Sequence, residues 1–381
     1  TNRINLHKIQ ILQLILISAL ISFSQSQSKI IKSLPGYPGN LPFTLETGYI
    51  GVGKSEEVQL FYYFIESERN VEEDPLLLWL TGGPGCSAFS GLVYEIGPLT
   101  FNYNASNSAS IPQFQLNPYS WTKVASIIFL DSPVGTGFSY GTTSDAYYSD
   151  DILQSKHVYE FLKKTRSGFW NILNSKQILC TYQGTHSKIV PIVVNEILNG
   201  NKNRLVPKMN INGYTLGNPV TDNHVSKNAG PEYMHHVSLL SDKLYESAKT
   251  NCNSEFANID ANNTKCLESV QAISEESDLI CSPHILEHKC MMYLLSPKKQ
   301  VPTPYYSNDD PQNFLRGKQK CRNTHYLLSY PWANDIQVQE ALHIREGMVD
   351  YWVRCNRSLS TYTIGVQSSK SYHKSFAKYF L

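Results

Sequence analysis

The chain has 381 residues, 41% of them apolar and 17% charged, which is enough for one large domain with a sizeable core and an inserted subdomain. Its 33 basic and 32 acidic residues leave a net charge of +1 with both signs interspersed, and this argues against nucleic acid or an acidic polymer as partner. Aromatic residues reach 12%, a level that fits aromatic core packing and a lined pocket and excludes a disordered chain.

Residues 1–28 read as a secretory signal peptide. Arg3, His7 and Lys8 precede an apolar stretch from Ile9 to Phe23, and the run Ser24 to Ser28 follows as a cleavage zone. Gln10 and Gln13 interrupt the stretch, so it is short for a membrane span, and no membrane attachment is expected after cleavage. The destination is the secretory pathway, ending outside the cell or in the vacuolar lumen. Eight cysteines without any Cys-x-x-Cys spacing fit disulfides in an oxidising compartment and give no metal site. Asn104, Asn262 and Asn356 begin glycosylation sequons.

Residues 29–48, rich in Pro and Gly, read as an extended lead-in to a first core section that runs over residues 29–221. Glu57 to Phe64 carries β-branched and aromatic residues and predicts a strand. Pro75 to Leu80 is a continuous apolar run stopped by Thr81-Gly82-Gly83-Pro84-Gly85, as expected of a strand buried on both faces that feeds a tight loop. Val124 to Leu130, ending at Asp131-Ser132-Pro133, and Ile211 to Leu216, ending at Gly217-Asn218-Pro219, repeat that pattern. Between them, Asp150 to Lys164 has helical spacing, with Ile152, Leu153, Val158, Phe161 and Leu162 assigned to one face. Strands alternating with helices predict an α/β class with a mostly parallel sheet covered on both faces, and chemistry at the carboxyl ends of the strands. Over residues 222–330 cysteines cluster and apolar runs shorten, which reads as a disulfide-stapled insertion capping the sheet. Residues 331–381 return to the core, with a helical stretch from Tyr330-Pro331-Trp332 through Val338, Ala341 and Leu342.

The motif richest in chemistry is Trp79-Leu80-Thr81-Gly82-Gly83-Pro84-Gly85-Cys86-Ser87. Adjacent glycines at a strand end let backbone N–H groups approach a substrate closely. Aimed at a developing oxyanion, one such donor contributes on the order of 3–4 kcal/mol of transition-state stabilisation.

With this motif the segments Leu76–Gly97, Tyr119–Tyr140, Asn212–Asp222 and Trp332–Asn356 resemble, collinearly, the serine carboxypeptidase-like proteins, above all their plant acyltransferase branch. The resemblance implies an α/β-hydrolase fold with a triad in the order Ser, Asp, His, working through an acyl-serine intermediate and needing no cofactor or metal. It places the oxyanion hole at Gly82 and Gly83. It implies Thr81 where peptidases of the family carry Asn, which favours transfer of an acyl group from a glucose ester over hydrolysis of a peptide. Glu95 and Asp131 fall on loops near the implied substrate pocket. The disulfides implied are Cys86 with Cys355, Cys252 with Cys266, and Cys290 with Cys321, leaving Cys180 and Cys281 over; spacing alone selects no connectivity.

The same resemblance sets expectations that the sequence does not meet. The nucleophile elbow belongs near Gly184, Thr185 and His186, yet no Gly-x-Ser-x-Gly is present there. His186 and Ser187 are adjacent, and neighbours rarely reach attacking geometry. The window Thr165–His186 reads as a shifted frame. When each codon's last base is joined to the next two, Trp170-Asn171 forces Glu, and synonymous choices permit an approach ending in Gly-Asp-Ser. The triad Asp and His are expected beyond Leu381, on strands missing from the sequence, with an exposed sheet edge as the consequence. The expected function is thus a carboxypeptidase or acyltransferase lineage in a chain without turnover. The alternative is a secreted, non-catalytic protein that binds glucose esters or peptides in the retained pocket. Oligomeric state is left open.

Overall fold

The computed structural model describes residues 29–106, 111–165, 177–183, 187–278, 280–281, 284–287, 322–357, 359 and 361–380. The signal segment, Cys290, Cys321 and the residues Gly184, Thr185 and His186, near which the elbow was expected, lie outside the described residues.

The spine is an eight-stranded mixed sheet. Its strands are β1 (Lys29–Ser33), β2 (Asn40–Val52), β3 (Val58–Ile65), β4 (Leu76–Thr81), β5 (Ser126–Leu130), β6 (Tyr140–Gly141), β7 (Ile178–Gln183) and β8 (Ile211–Gly217). They run in the order β1-β2-β3-β5-β4-β7-β8, with β6 beside β3. β5, β4, β7 and β8 are mutually parallel, and an antiparallel set of β1, β2 and β3 joins them through β5. Residues 29–48, expected as an extended lead-in, are largely extended and pair as β1 and most of β2. The reason is local: Pro35, Gly36, Pro38 and Gly39 gather in one turn, where Gly36 and Gly39 have φ of 90° and 79°, and the flanking residues are free to pair.

Every residue of β4 and β5 is buried, as continuous apolar runs in a two-sided sheet require. Alternation along β4 feeds two cores. Leu76, Leu78 and Leu80 pack with Val158, Phe161 and Leu162, and with Ile189, Val193 and Ile197, on one face. Leu77 and Trp79 pack with Phe89, Trp332 and Trp352 on the other. β8 departs from expectation: none of its residues is buried, and Asn212, Thr215 and Gly217 are exposed. It ends the strand order, and its sequence Ile-Asn-Gly-Tyr-Thr-Leu-Gly lacks the continuous apolar run of β4.

Helices α1 (Asp151–Lys164) and α2 (Ile189–Lys202) cover the first face. Asp150 caps α1, its Oδ1 accepting from Ile152 N at 2.9 Å and Leu153 N at 2.8 Å. The buried stripe of α1 is Asp151, Gln154, Ser155, Val158, Phe161 and Leu162. Ile152, expected on that face, is exposed, because it lies about 100° from its neighbour Asp151 around a helix of 3.6 residues per turn.

Beyond β8 come α3 (Asn223–His236), α4 (Asp242–Cys252) and α5 (Thr264–Ser277), with a small cluster of Leu240, Ala248 and Ile273 and the disulfide Cys252–Cys266. The helical stretch after Tyr330 is split into α6 (Ser329–Ala333) and α7 (Ile336–Ala341). Asn334 breaks it by donating to the Tyr330 and Trp352 carbonyls at 2.9 and 3.0 Å, and Asp335 restarts it by capping Gln337 N at 2.8 Å. The final helix, α8 (Lys370–Phe380), places Phe376 in the first core.

Replacing Asp150 with Ala leaves two first-turn N–H groups of α1 unpaired and is expected to lower stability by about 1 kcal/mol. The change is read from the urea midpoint at unchanged slope, and a midpoint that does not move would contradict the cap.

Candidate functional site

The carboxyl ends of β4, β5 and β7 meet in one region. In register, Gln183 of β7 stands opposite Thr81 of β4 and Gly217 of β8. The chain therefore leaves the central strand between the Gly82-Gly83 loop and Gly217.

The loop after β4 can be built only from small residues at two points. Gly83 and Gly85 have φ of 141° and 98°, backbone that side chains with a Cβ rarely adopt. A Cβ on Gly83 would stand 2.7 Å from Gly85 N, and one on Gly85 would stand 2.5 Å from the Asn356 carbonyl. The second contact exists because residues 354–356 run antiparallel against the loop. Ser87 N donates to Arg354 O and Asn356 N to Gly85 O, both at 2.8 Å, and Cys86–Cys355 joins the two segments covalently.

Asp131, assigned by sequence to the pocket, is fully buried and braces loops instead of lining a cavity. Its Oδ1 accepts from Ser87 Oγ at 2.7 Å and Ala88 N at 2.8 Å, and its Oδ2 accepts from Phe138 N at 2.9 Å. Gly137 lies against this carboxylate so closely that any Cβ would collide with it. Burial pushes the Asp131 carboxyl up to about 6, while the three donors pull it down. The sequence signal that was available is that Ser87 ends the loop motif after β4 and Asp131 begins the one after β5. Ser87 closes the motif singled out from the sequence, but its pairing with Asp131 and that of Phe138 were not read there.

Thr81 is buried, and its Oγ1 accepts from Trp79 Nε1 at 3.2 Å, two residues back on the same face. Glu95 ends the helical turn Gly91–Glu95. Burial pushes its carboxyl up to about 7, against the pull of Arg354. The Arg354 guanidinium lies over the Tyr326 ring at 4.1 Å. Thr81, Glu95 and Arg354 thus gather around the braced loop, and Asp131 lies beneath it.

On the far side of the turn, Ser187 and Lys188 lead into α2, and both are buried. Among the described residues the Ser187 Oγ meets no partner. Lys188 Nζ donates to Asn223 Oδ1 at 3.1 Å. Of the sequon residues, Asn104 and Asn262 are exposed, whereas Asn356 uses its Nδ2 to donate to the Gly135 carbonyl at 2.9 Å.

Comparison with known proteins is concordant. A profile described as serine carboxypeptidase matches residues 35–380. Serine carboxypeptidase-like 1 of Arabidopsis thaliana is 43% identical over 346 residues, 91% of this chain and 72% of that protein. Serine carboxypeptidase-like 7 of the same plant is 43% identical over 362 residues, 94% of this chain and 77% of that protein. Among solved structures, Kex1(delta)p, a prohormone-processing carboxypeptidase from Saccharomyces cerevisiae, superposes with a TM-score of 0.63 at 18% identity. That superposition covers 92% of this chain and 74% of the yeast chain, and it shows a shared α/β-hydrolase fold.

Asp131→Asn would turn a donor amide toward either Phe138 N or the Ser87 and Ala88 pair, leaving buried groups unpaired, and is expected to cost about 2–3 kcal/mol. The sign of the pH effect follows from the raised carboxyl. With its value near 6 when folded and about 3.9 unfolded, the folded state holds the proton more tightly. This group's contribution is therefore present at low pH and is lost as pH rises from about 4 through about 6. Urea titrations of both proteins across that window should show the wild-type advantage change with pH, and a constant difference would contradict the shift.

Proposed function

Because the chain belongs to the serine carboxypeptidase family, we propose that it carries the acyl-binding framework of an acyl-serine enzyme, of the carboxypeptidase or glucose-ester acyltransferase kind, without an attacking group. In the complete chemistry a serine hydroxyl attacks an ester or amide carbonyl while a base takes its proton. The carbonyl oxygen becomes an oxyanion held by backbone N–H groups, and the leaving group departs with a proton.

The observation that carries the reading is the register of β7. Its last residue, Gln183, pairs with Thr81 and Gly217, at the strand end that the Gly82-Gly83 loop follows, and three residues come next in the sequence. They are Gly184, Thr185 and His186, and none is the serine the chemistry needs. The donors stay arranged while the nucleophile is missing, so this chain is expected not to turn over glucose esters or peptides. Thr81, with its hydroxyl turned to Trp79, favours the acyltransferase side of the lineage. The chain matures in the secretory pathway, with glycans at Asn104 and Asn262, and its destination is the vacuolar lumen or the cell exterior. The residue 165–186 window is a shifted reading of a stretch that ended in Gly-Asp-Ser.

A second reading, a secreted binding protein, is favoured by the completeness of the brace. The three hydrogen bonds to Asp131 and the disulfide to Cys355 hold the loop whether or not a nucleophile is present.

Three measurements decide between these. The secreted chain, treated with a fluorophosphonate probe and with a nitrophenyl ester, should show no serine adduct and no burst, and a labelled serine peptide would overturn the absence of a nucleophile. A thermal shift with benzoyl-glucose or a blocked dipeptide should raise the melting temperature if the pocket is retained. Coding DNA across residues 165–186 should spell the elbow in the alternative frame.

A further inference from the structure

The late segment that fastens the Gly-Gly loop also carries a modification signal, since Asn356-Arg357-Ser358 is a glycosylation sequon. Its first residue stands next to Cys355, which is bonded to Cys86. The other two sequons sit differently. Asn104 and Asn262 are exposed, one on the short helix Tyr103–Ser106 and the other just before α5.

Asn356 is held through both its backbone and its side chain. Its N–H donates to Gly85 O, and Ser87 N donates to Arg354 O, both at 2.8 Å, on either side of the antiparallel bridge between Cys86 and Cys355. Its Nδ2 donates to the Gly135 carbonyl at 2.9 Å, and this is the nitrogen that a glycan would take. Its own carbonyl packs on Gly85, where a Cβ would come within 2.5 Å of it. Past the sequon the chain is fastened again. Leu359 packs beside both glycines, and a Cβ would stand 2.8 Å from it on Gly85 and 3.1 Å from it on Gly135. Ser149 N then donates to Thr361 O at 3.2 Å. A folded segment enters another enzyme's active site only by opening locally. Opening here breaks these bonds together, while the disulfide still holds Cys355 in place.

Glycan transfer joins an Asn Nδ2 to C1 of the first sugar of an oligosaccharide carried on a lipid diphosphate. The C1–O bond breaks, the diphosphate leaves with its electron pair, and Nδ2 gives up one proton. We propose that this transfer at Asn356 and closure of the Cys86–Cys355 bridge exclude one another, so that the sequon is used only in chains whose Gly-Gly loop is not yet fastened. A closed chain carries no glycan at Asn356, and a chain glycosylated there keeps Cys86 and Cys355 apart. The inference rests on the secretory reading above, because both reactions belong to that pathway.

Expression of the full chain through a plant secretory pathway, followed by peptide mass spectrometry of unreduced protein from cells and medium together, tests this. Enzymatic deglycosylation marks each occupied Asn by converting it to Asp. In the wild-type chain Asn104 and Asn262 are expected to be occupied, Asn356 empty, and Cys86 linked to Cys355. Cys86→Ser leaves the sequon and its sequence neighbours unchanged, and it should shift Asn356 from empty to predominantly occupied. Pooling cells and medium makes the reading independent of whether that variant folds or is exported. Cys252→Ser opens the Cys252–Cys266 bridge instead and should leave Asn356 empty. Occupied Asn356 in molecules that also hold the Cys86–Cys355 bridge overturns the proposal. So does an empty Asn356 in the Cys86→Ser chain, and so does equal occupancy in the two cysteine variants, which means a general delay in folding. If Asn104 and Asn262 are empty as well, the secretory reading falls and the proposal with it.

Discussion

Asp131 holds three donors from two loops on two carboxylate oxygens, with no exposure to solvent. A buried carboxylate is tolerated only when its charge is met by hydrogen bonds. Here the geometry of those bonds fixes where the loop after β4 stands relative to the loop after β5. The Gly82-Gly83 peptide groups lie upstream of Ser87 and Ala88 on the same short loop. Their position is therefore set by a group buried beneath the loop. The constraint also explains Gly137, whose missing Cβ makes room for the carboxylate.

The second support for the loop comes from far along the chain. Residues 329–356 return to the sheet and lay two large aromatic side chains in its second core. Trp332 stacks on Phe89 with ring centroids 4.7 Å apart, and Trp352 meets Phe89 edge-on at 5.9 Å. Asn334 then ties α6 to Trp352, both through its amide and by accepting from Trp352 N. These contacts carry Arg354, Cys355 and Asn356 to the Gly-Gly loop, where the disulfide closes a separation of 269 residues. Crosslinks that close long loops restrict the unfolded chain most, on the chain-entropy account. The loop at the site is consequently fastened to the sheet below it and to a late segment beside it.

Much of this was legible in the residues, for identifiable reasons. β4 and β5 announce themselves because a strand buried on both faces has no polar alternate. Asp150 and the apolar spacing of α1 mark a helix. What misled was context. The Pro and Gly of residues 35–39 colour their neighbours, although only one turn needs them, so two strands were hidden. Ile152 looks like a core residue, but the stripe it was assigned to begins one position earlier, at Asp151. Asp131 was legible as a residue near the site and illegible as a brace, since its partners Ser87, Ala88 and Phe138 are brought together only by the tertiary fold.

The central strand separates what the fold needs from what chemistry needs. β7 is held by main-chain pairing to β4 and β8 along its whole length. Among its described side chains, Ile178 and Cys180 enter one core and Leu179 packs against the other. Cys180 shows this directly: deep burial pushes its thiol up to about 12, so it packs as a small apolar group and not as a thiolate nucleophile. Any short run of apolar and β-favouring residues could fill this strand and deliver the chain to the same turn. The position at which β7 ends is therefore a property of the sheet, and the identity of an attacking group is a property of the few residues that follow in sequence. Among the described residues, the loop after β4 is held by Asp131 and by the segment 354–356, so its position rests on groups outside β7.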